Sequence, residues 1–399
     1  TMSTSVQSAP AAATPSFDVT ARVDAVLEAD REAILADPGF GQHFTDHMVS
    51  IDWSTGGGWH GARVKPYGPL LLDPAASVLH YGQEIFEGIK AYRHSDGSIW
   101  TFRPERNAAR LQSSARRLAM PELPIELFLE SLRQLIAVDG AWVPNAAETS
   151  LYIRPFMIAN ESFLGVRAAQ RVSYYVIASP AGAYFSGGIT SVSIWLSTEY
   201  SRAGRGGTGA AKCGGNYAAS LLPQREAYEH GCAQVLFLDA ETGTRIDELG
   251  GMNIFLVKSD GTLVTPELNG NILPGITRDS IITLAKARGI EVEERAVTVE
   301  EWRAGVADGS IIEAFACGTA AVITPIAELK SEEFTLTMPP VAEPLAMSLR
   351  QELTDIQYGR IPDVHGWLVR LDADAEADAD ADAAAAADAE ADAASVSGE

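Results

Sequence analysis

The chain has 399 residues, 46% of them hydrophobic, which suffices for one large or two medium domains around a substantial core. Its 53 acidic residues against 30 basic ones give a net charge of −23, which opposes binding to nucleic acid or to an anionic membrane. Ten of the acids follow Arg370 with no base among them, leaving −13 on the rest of the chain.

In chain order, the stretch to residue 34 is rich in Ala, Ser, Thr and Pro and is expected to be disordered. Structure is expected from Phe40–Trp53 onward. Ser98–Phe102 reads as a strand. Arg103–Met120 reads as a helix with Pro104 at its start and Ala108, Leu111, Ala115 and Leu118 on one face. Ile125–Val138 is a second amphipathic helix and Ser150–Ile158 a strand, so residues 35–158 are expected to form a small α+β domain. Residues 159–171 carry turn and polar residues and read as an interdomain linker. Residues 172–371 then form the larger domain. Its expected strands are Val172–Ala178, Ser191–Ser197, Gln234–Leu238, Ile254–Lys258 and Ile311–Phe315. Its expected helices are Ala218–His230, Thr277–Arg288, Thr298–Ala304 and Glu343–Tyr358, and Ser259-Asp260-Gly261 reads as a hairpin turn. Strands that do not alternate regularly with helices favour a barrel-like α+β domain over a doubly wound sheet. Residues 372–399 form a low-complexity acidic tail in which Asp372–Asp392 alternates Ala with Asp or Glu without an apolar stripe, and it is expected to be disordered.

Cys213, Cys232 and Cys317 form no close pairs, which fits a reducing compartment. Thr1–Asp18 has neither a basic region nor a continuous apolar run, and no stretch approaches bilayer-spanning length, so the cytoplasm is the expected location.

Lys212 stands out among the motifs. It is the only lysine between Lys90 and Lys258, and small residues flank it in Gly209-Ala210-Ala211-Lys212-Cys213-Gly214-Gly215-Asn216-Tyr217. A long amine in such a cage suits a Schiff base to a carbonyl cofactor such as pyridoxal phosphate; the plain alternative is a solvated loop lysine. Asp247-Glu248-Leu249-Gly250-Gly251 places a carboxylate ahead of a Gly-Gly turn, where Glu248 could hold a pyridine nitrogen and Asp247 would face the other way. Leu273-Pro274-Gly275-Ile276-Thr277 leads into a helix whose first turn is a natural phosphate site, with Thr277 a candidate cap; the plain alternative, favoured by this segment alone, is an ordinary capped helix. Cys317-Gly318-Thr319-Ala320-Ala321 offers a hydroxyl and an anion nest, or merely a tight turn. Gly204–Gly209 and Gly56–Gly61 fit G-x-G-x-x-G, but neither leads directly into a helix, so both are rejected as dinucleotide sites. His43 and His47 lack a third ligand, so no metal is expected.

Taken in order, these segments resemble a branched-chain amino acid aminotransferase of pyridoxal-phosphate fold type IV. The likeness runs from about Phe40 to Leu371. It includes His80–Tyr92, Ser150–Pro155, Gly182–Phe185, Lys212–Tyr217, Glu248–Phe255, Ile272–Arg278, Gly318–Ala321, Ile356–Gly359 and Gly366-Trp367. The resemblance implies a small α+β domain, a larger pseudo-barrel α+β domain and a homodimer. It implies pyridoxal 5'-phosphate on Lys212, with Glu248 at the ring nitrogen and Tyr217 at the ring hydroxyl. Arg110, Ile276, Thr277 and Thr319 are the implied phosphate ligands. Thr319 and Ala320, helped by Tyr152, are implied for the substrate carboxylate, and Arg154 for the second carboxylate of glutamate. Phe40, Tyr81, Phe86 and Tyr184 are the implied pocket walls, with Leu164 and Val166 reaching in from a partner subunit. The implied reaction moves the amino group of L-leucine, L-isoleucine or L-valine to 2-oxoglutarate. D-amino-acid aminotransferases and aminodeoxychorismate lyases share the fold, and a non-catalytic protein using its acidic tail is the reading from another class. Gly251 stands where some eukaryotic relatives carry Thr. Ala321 and Thr324 replace the redox Cys pair of mammalian members, and Cys317 does not substitute for it.

Overall fold

The computed structural model describes residues 16–182 and 190–373. Among these residues two nine-stranded sheets carry the fold. The first runs in the order Asp18–Val19, Gly58–Pro66, His47–Ser54, Arg171–Ala181, Ser150–Ala159, Ile89–Arg93, Ile99–Phe102 and Leu368–Arg370, with Glu84–Phe86 also paired to Ser150–Ala159. The second runs Ile246–Leu249, Gln234–Leu238, Val192–Ser197, Val322–Lys330, Ile311–Gly318, Asn253–Lys258, Leu263–Thr265 and Val292–Glu294, with Thr335–Thr337 on Val322–Lys330. It mixes parallel and antiparallel pairs without regular helix crossovers, as expected of the larger α+β unit.

Helices Pro104–Arg117 and Ile125–Asp139 pack on the first sheet through Ala108, Leu111, Ala115, Phe128, Leu132 and Leu135. Helices Ile276–Ala287 and Leu345–Gln357 cover the second through Ile281, Leu284, Leu349 and Leu353. The strand Leu368–Arg370 returns to the first sheet and pairs with Ile99–Phe102, so the chain ties its two halves together.

Four expectations change. The stretch to residue 34 holds a strand, Asp18–Val19, and most of helix Glu28–Ala36. Phe17, Val26 and Ile34 pack on the core, and the Arg22 and Val26 N–H groups donate to His47 Nε2 and Asp46 Oδ1, both at 2.9 Å. The strand at Val172–Ala178, assigned to the larger domain, extends over Arg171–Ala181 at the centre of the first sheet, between His47–Ser54 and Ser150–Ala159. Residues 160–170 therefore join two neighbouring antiparallel strands and do not link domains; the passage to the second sheet falls between Ala181 and Val192. An apolar run signals burial but not which sheet buries it. The helix after Lys212 starts at Gly214, four residues earlier than expected, because the Gly-Gly pair forms its first turn. Finally, Gly275 is the N-cap of Ile276–Ala287, which puts Thr277 inside the first turn and not at the cap. The acidic tail from Asp374 and residue Tyr184 lie outside the described residues.

Candidate active site

Lys212 is fixed by its backbone, two residues ahead of helix Gly214–Glu229. Its N–H donates to Ser114 Oγ at 2.9 Å, and its carbonyl accepts from the Phe86 N–H at 3.0 Å. Asn216 straps the preceding loop by donating to the Thr208 and Ala211 carbonyls at 2.7 and 2.8 Å. The Gly214 N–H donates to Glu84 Oε1 at 2.6 Å, and a side chain at 214 would collide with that carboxylate. The free end of Lys212 donates to Tyr217 Oη at 2.9 Å and lies 4.9 Å from the Phe86 ring centre. The Phe86 and Tyr217 rings, 5.0 Å apart, form the wall beneath it.

Glu248 sits on strand Ile246–Leu249 at 2% exposure and pairs with buried Arg202 at 2.7 Å. It also accepts from the Leu273 N–H at 2.9 Å. Asn253 Nδ2 reaches it at 3.4 Å and anchors the Leu273 carbonyl at 3.1 Å. Burial pushes its carboxyl up to about 7, against the opposing pull of Arg202. Asp247, its neighbour, accepts from Asn269 at 3.3 Å, as strand alternation requires.

Arg110 lies on helix Pro104–Arg117 and is clasped by Glu87, with Nε and Nη2 each donating at 2.8 Å. Its remaining nitrogen donates to the Pro274 carbonyl at 3.1 Å, at the entrance of helix Ile276–Ala287. Burial disfavours its charge, but Glu87 outweighs that and raises its pKa. Glu87 shares the buried strand face with Ile85 and Ile89, and its N–H donates to the Pro155 carbonyl at 2.8 Å. Opposite Pro155 the partner strand breaks between Glu84–Phe86 and Ile89–Arg93, and Glu87 and Gly88 fill the gap. Asn107 Nδ2 donates to the inward carboxylate at 2.8 Å. Ile276, Thr277 and Thr319 border one small cavity together with Gly88 and Asn107. The first-turn amides of Ile276–Ala287 have no partners within the helix, so they are available to an anion there.

The opposite wall comes from the first sheet. Tyr152 and Arg154 project from the same face of Ser150–Ala159, and Arg154 Nη2 donates to Tyr152 Oη at 3.1 Å. A side chain at Gly88 would run into the Tyr152 hydroxyl. The Arg154 guanidinium lies 4.7 Å from the Phe86 ring centre and 5.4 Å from that of Tyr152. Its Nε is buried without a partner. Phe40 meets Tyr152 edge-on at 5.1 Å and, with Ala320 and Gly182, lines a cavity of about 470 Å³. Thr319-Ala320-Ala321 is the turn of a hairpin closed by the pair Gly318 and Val322. Val322 takes a φ of 63°, a strained conformation for a branched residue.

Tyr81 lies elsewhere within the subunit. It is 43% exposed, and its hydroxyl donates to the Leu164 carbonyl, so it belongs with the loop of Phe163, Leu164 and Val166. Arg202, Glu87, Asn107 and Lys90 belong to the site and escaped the sequence reading. Arg202 pairs with Glu248 across 46 positions and Arg110 with Glu87 across 23, separations that carry no local pattern. Glu87 and Lys90 lie in the His80–Tyr92 block, the only sequence signal that could have marked them.

Residues 84–329 match the family model of amino-transferase class IV. The chain therefore belongs to the class IV aminotransferases, the fold type IV architecture. Within that class it falls among the branched-chain-amino-acid aminotransferases. The protein of that name from Mycolicibacterium smegmatis is 60% identical over 362 residues, covering 89% of this chain and 98% of that one. Its counterpart from Mycobacterium tuberculosis is 59% identical over 361 residues, with the same coverage of 89% and 98%. The structure of the Thermobaculum terrenum branched-chain amino acid aminotransferase in its PLP form is similar at a TM-score of 0.69 and 26% identity. It covers 83% of this chain and 99% of that one.

Proposed function

We propose that the chain transfers the amino group of L-leucine, L-isoleucine or L-valine to 2-oxoglutarate, releasing the branched 2-oxo acid and L-glutamate, with pyridoxal 5'-phosphate as cofactor. The observation that carries this reading is the placement of Lys212 Nζ, 2.9 Å from Tyr217 Oη, in one site with the buried Glu248–Arg202 pair.

The donor set fits that cofactor. It presents an amine, a buried carboxylate for a ring nitrogen, a phenol for a ring hydroxyl, and an arginine beside a helix N-terminus for a phosphate. When bound, the cofactor supplies an aldehyde that captures the substrate amine covalently and a ring that withdraws electrons from it. Lys212 Nζ would hold the cofactor and, once released by the substrate amine, would be the base that takes the substrate's α-proton and the acid that gives it up to the former aldehyde carbon. Tyr217 Oη accepts a hydrogen bond from that nitrogen and orients it. Glu248 would keep the ring nitrogen protonated, and Arg202 favours the ionised form that this needs against the burial that opposes it. Arg110, Ile276, Thr277 and Thr319 hold the phosphate. The turn at Thr319 and Ala320, with Tyr152, takes the substrate carboxylate, and Arg154 takes the second carboxylate of glutamate. Phe40 and Phe86 form the apolar wall that meets the aliphatic side chain. Such a wall separates side chains differing by one methylene by only about 1–3 kcal/mol, so all three branched amino acids are accepted.

The exposed Tyr81, Phe163, Leu164 and Val166 support a homodimer in which this loop meets the partner's site. Among the described residues no helix is long and apolar enough to cross a membrane, and we assign the enzyme to the cytoplasm. The test is transamination of 2-oxoglutarate by L-leucine against D-alanine, with borohydride reduction and peptide mapping of the holoprotein. Activity on L-leucine with the label on Lys212 is expected. Preference for D-alanine, or a label on another lysine, overturns the reading.

A further inference from the structure

Lys90 is absorbed by none of the roles above, yet it stands directly behind the carboxylate-binding turn. It lies on strand Ile89–Arg93 in register with Tyr152, so the two side chains share one face of the first sheet. From there its Nζ crosses to the second sheet and donates to the Ala320 carbonyl at 2.9 Å. That carbonyl belongs to the peptide unit whose other end is the Ala321 N–H. The turn needs such a tie, because the strained φ of 63° at Val322 gives the hairpin a reason to relax.

The charge around Lys90 is lopsided. Its ionisable neighbours are Glu148 and Arg350, with Tyr92 and Tyr358 lining the same cavity. Glu148 is committed to Arg350 through two contacts of 3.0 and 2.9 Å. None of the described carboxylates pairs with Lys90, so a positive charge is left facing the turn.

We infer that Lys90 is a positioning residue for the substrate's α-carboxylate, fixing the Thr319-Ala320-Ala321 turn through the Ala320 carbonyl and supplying positive charge from behind it. This rests on the aminotransferase reading above. Three features carry it: the hydrogen bond across the two sheets, the shared face with Tyr152, and the commitment of the neighbouring Glu148 to Arg350. Burial, and after it Arg350, lower the amine to about 8, with Glu148 opposing. Burial raises Tyr92 and Tyr358 above the ordinary phenol value, so within this group only Lys90 changes charge near that pH. The sign follows: the charge is present below about 8 and lost as pH rises through it, and carboxylate affinity goes with it.

The experiment uses holoenzyme, Lys90→Met and Lys90→Gln, with 4-methylpentanoate as an unreactive carboxylate probe and 3-methylbutylamine as a substrate lacking the carboxylate. Lys90→Met is expected to weaken probe binding and raise KM for L-leucine about tenfold, equivalent to about 1.4 kcal/mol, while kcat changes little. The half-reaction of 3-methylbutylamine should stay at the wild-type rate. Wild-type affinity for the probe should fall through about pH 8, and that step should vanish in Lys90→Gln. Unchanged probe affinity in Lys90→Met, an equal loss on the amine, or the same pH step in Lys90→Gln each overturns the inference. If neither variant folds, the wild-type profile decides, and a flat one across about pH 8 refutes the role. A wild type inactive on L-leucine would instead sink the underlying functional reading, so the two failures are distinguishable.

Discussion

Replacing Glu248 by glutamine keeps the shape of the side chain and removes its charge. In the cofactor-free protein the carboxyl is raised from 4.5 to about 7, mainly by burial. At about 1.36 kcal/mol per tenfold step, that rise represents about 3 kcal/mol against ionisation. The sign matters: a raised carboxyl stabilises the cofactor-free fold fully below 4.5, and this contribution is lost as pH rises through about 7. A protonated ring nitrogen beside Glu248 reverses the preference, because it favours the carboxylate. Cofactor affinity should therefore fall as pH drops below about 7, approaching tenfold per pH step until the ordinary carboxylate range is reached. Titration of apoprotein with pyridoxal 5'-phosphate at about pH 6 and about pH 8 would show roughly a tenfold difference in the wild type. The cofactor's own ionisations affect both proteins, so the slope that Glu248→Gln loses belongs to residue 248. Turnover in the variant should fall roughly a hundredfold, the scale of one preorganised electrostatic stabiliser. Equal pH slopes in the two proteins together with unchanged turnover would refute the reasoning.

Other outcomes follow from the same geometry. Lys212→Ala should abolish transamination while near- and far-ultraviolet circular dichroism remain native, because the loop is held through backbone and Asn216 contacts that the substitution spares. Arg154→Met should raise KM for L-glutamate and 2-oxoglutarate by about tenfold or more and leave L-leucine nearly unaffected, as steady-state kinetics on each substrate would reveal. Gly275→Ala places a methyl group on Asn253 Oδ1 and should cost about 1–3 kcal/mol, lowering Tm and cofactor affinity together. Removing residues 374–399 should leave kcat and KM unaltered; a large loss would give the acidic tail a role in catalysis.

Some of the site was readable in the sequence because local chemistry marked it. Lys212 among small residues, Glu248 before Gly250-Gly251, and Pro274-Gly275 at a helix start each combine a reactive group with backbone that permits close approach. Element positions were readable for a similar reason: Gln234–Leu238 carries an unbroken apolar run and Ile125–Asp139 a helical period in their own residues. Partnership between distant positions was not. Nothing near Arg202 announces Glu248, and nothing near Glu87 announces Arg110. Sheet membership was equally hidden. Arg171–Ala181 is buried along nearly its whole length, as a central strand of either sheet would be.

The charges of the site divide in a way that explains how one pocket serves two kinds of substrate. Arg110 and Arg202 each have a carboxylate of their own, Glu87 and Glu248, so neither depends on substrate to offset its charge. Lys90 and Arg154 pair with none of the described carboxylates. Half-buried cations without a paired carboxylate carry a desolvation cost, and on the proposed reading glutamate brings two carboxylates that match them. A branched-chain amino acid brings one, which leaves Arg154 facing an aliphatic side chain. The Phe86 and Tyr152 rings then matter twice. They give the guanidinium π-faces at 4.7 and 5.4 Å, which partly compensate it when no carboxylate arrives, and they present an apolar surface to leucine. A lysine at 154 could not spread over two rings in this manner, because its charge is a compact, strongly hydrated point. On the proposed reading, dual specificity rests on a planar cation set between aromatic faces, available to an anion and tolerable without one.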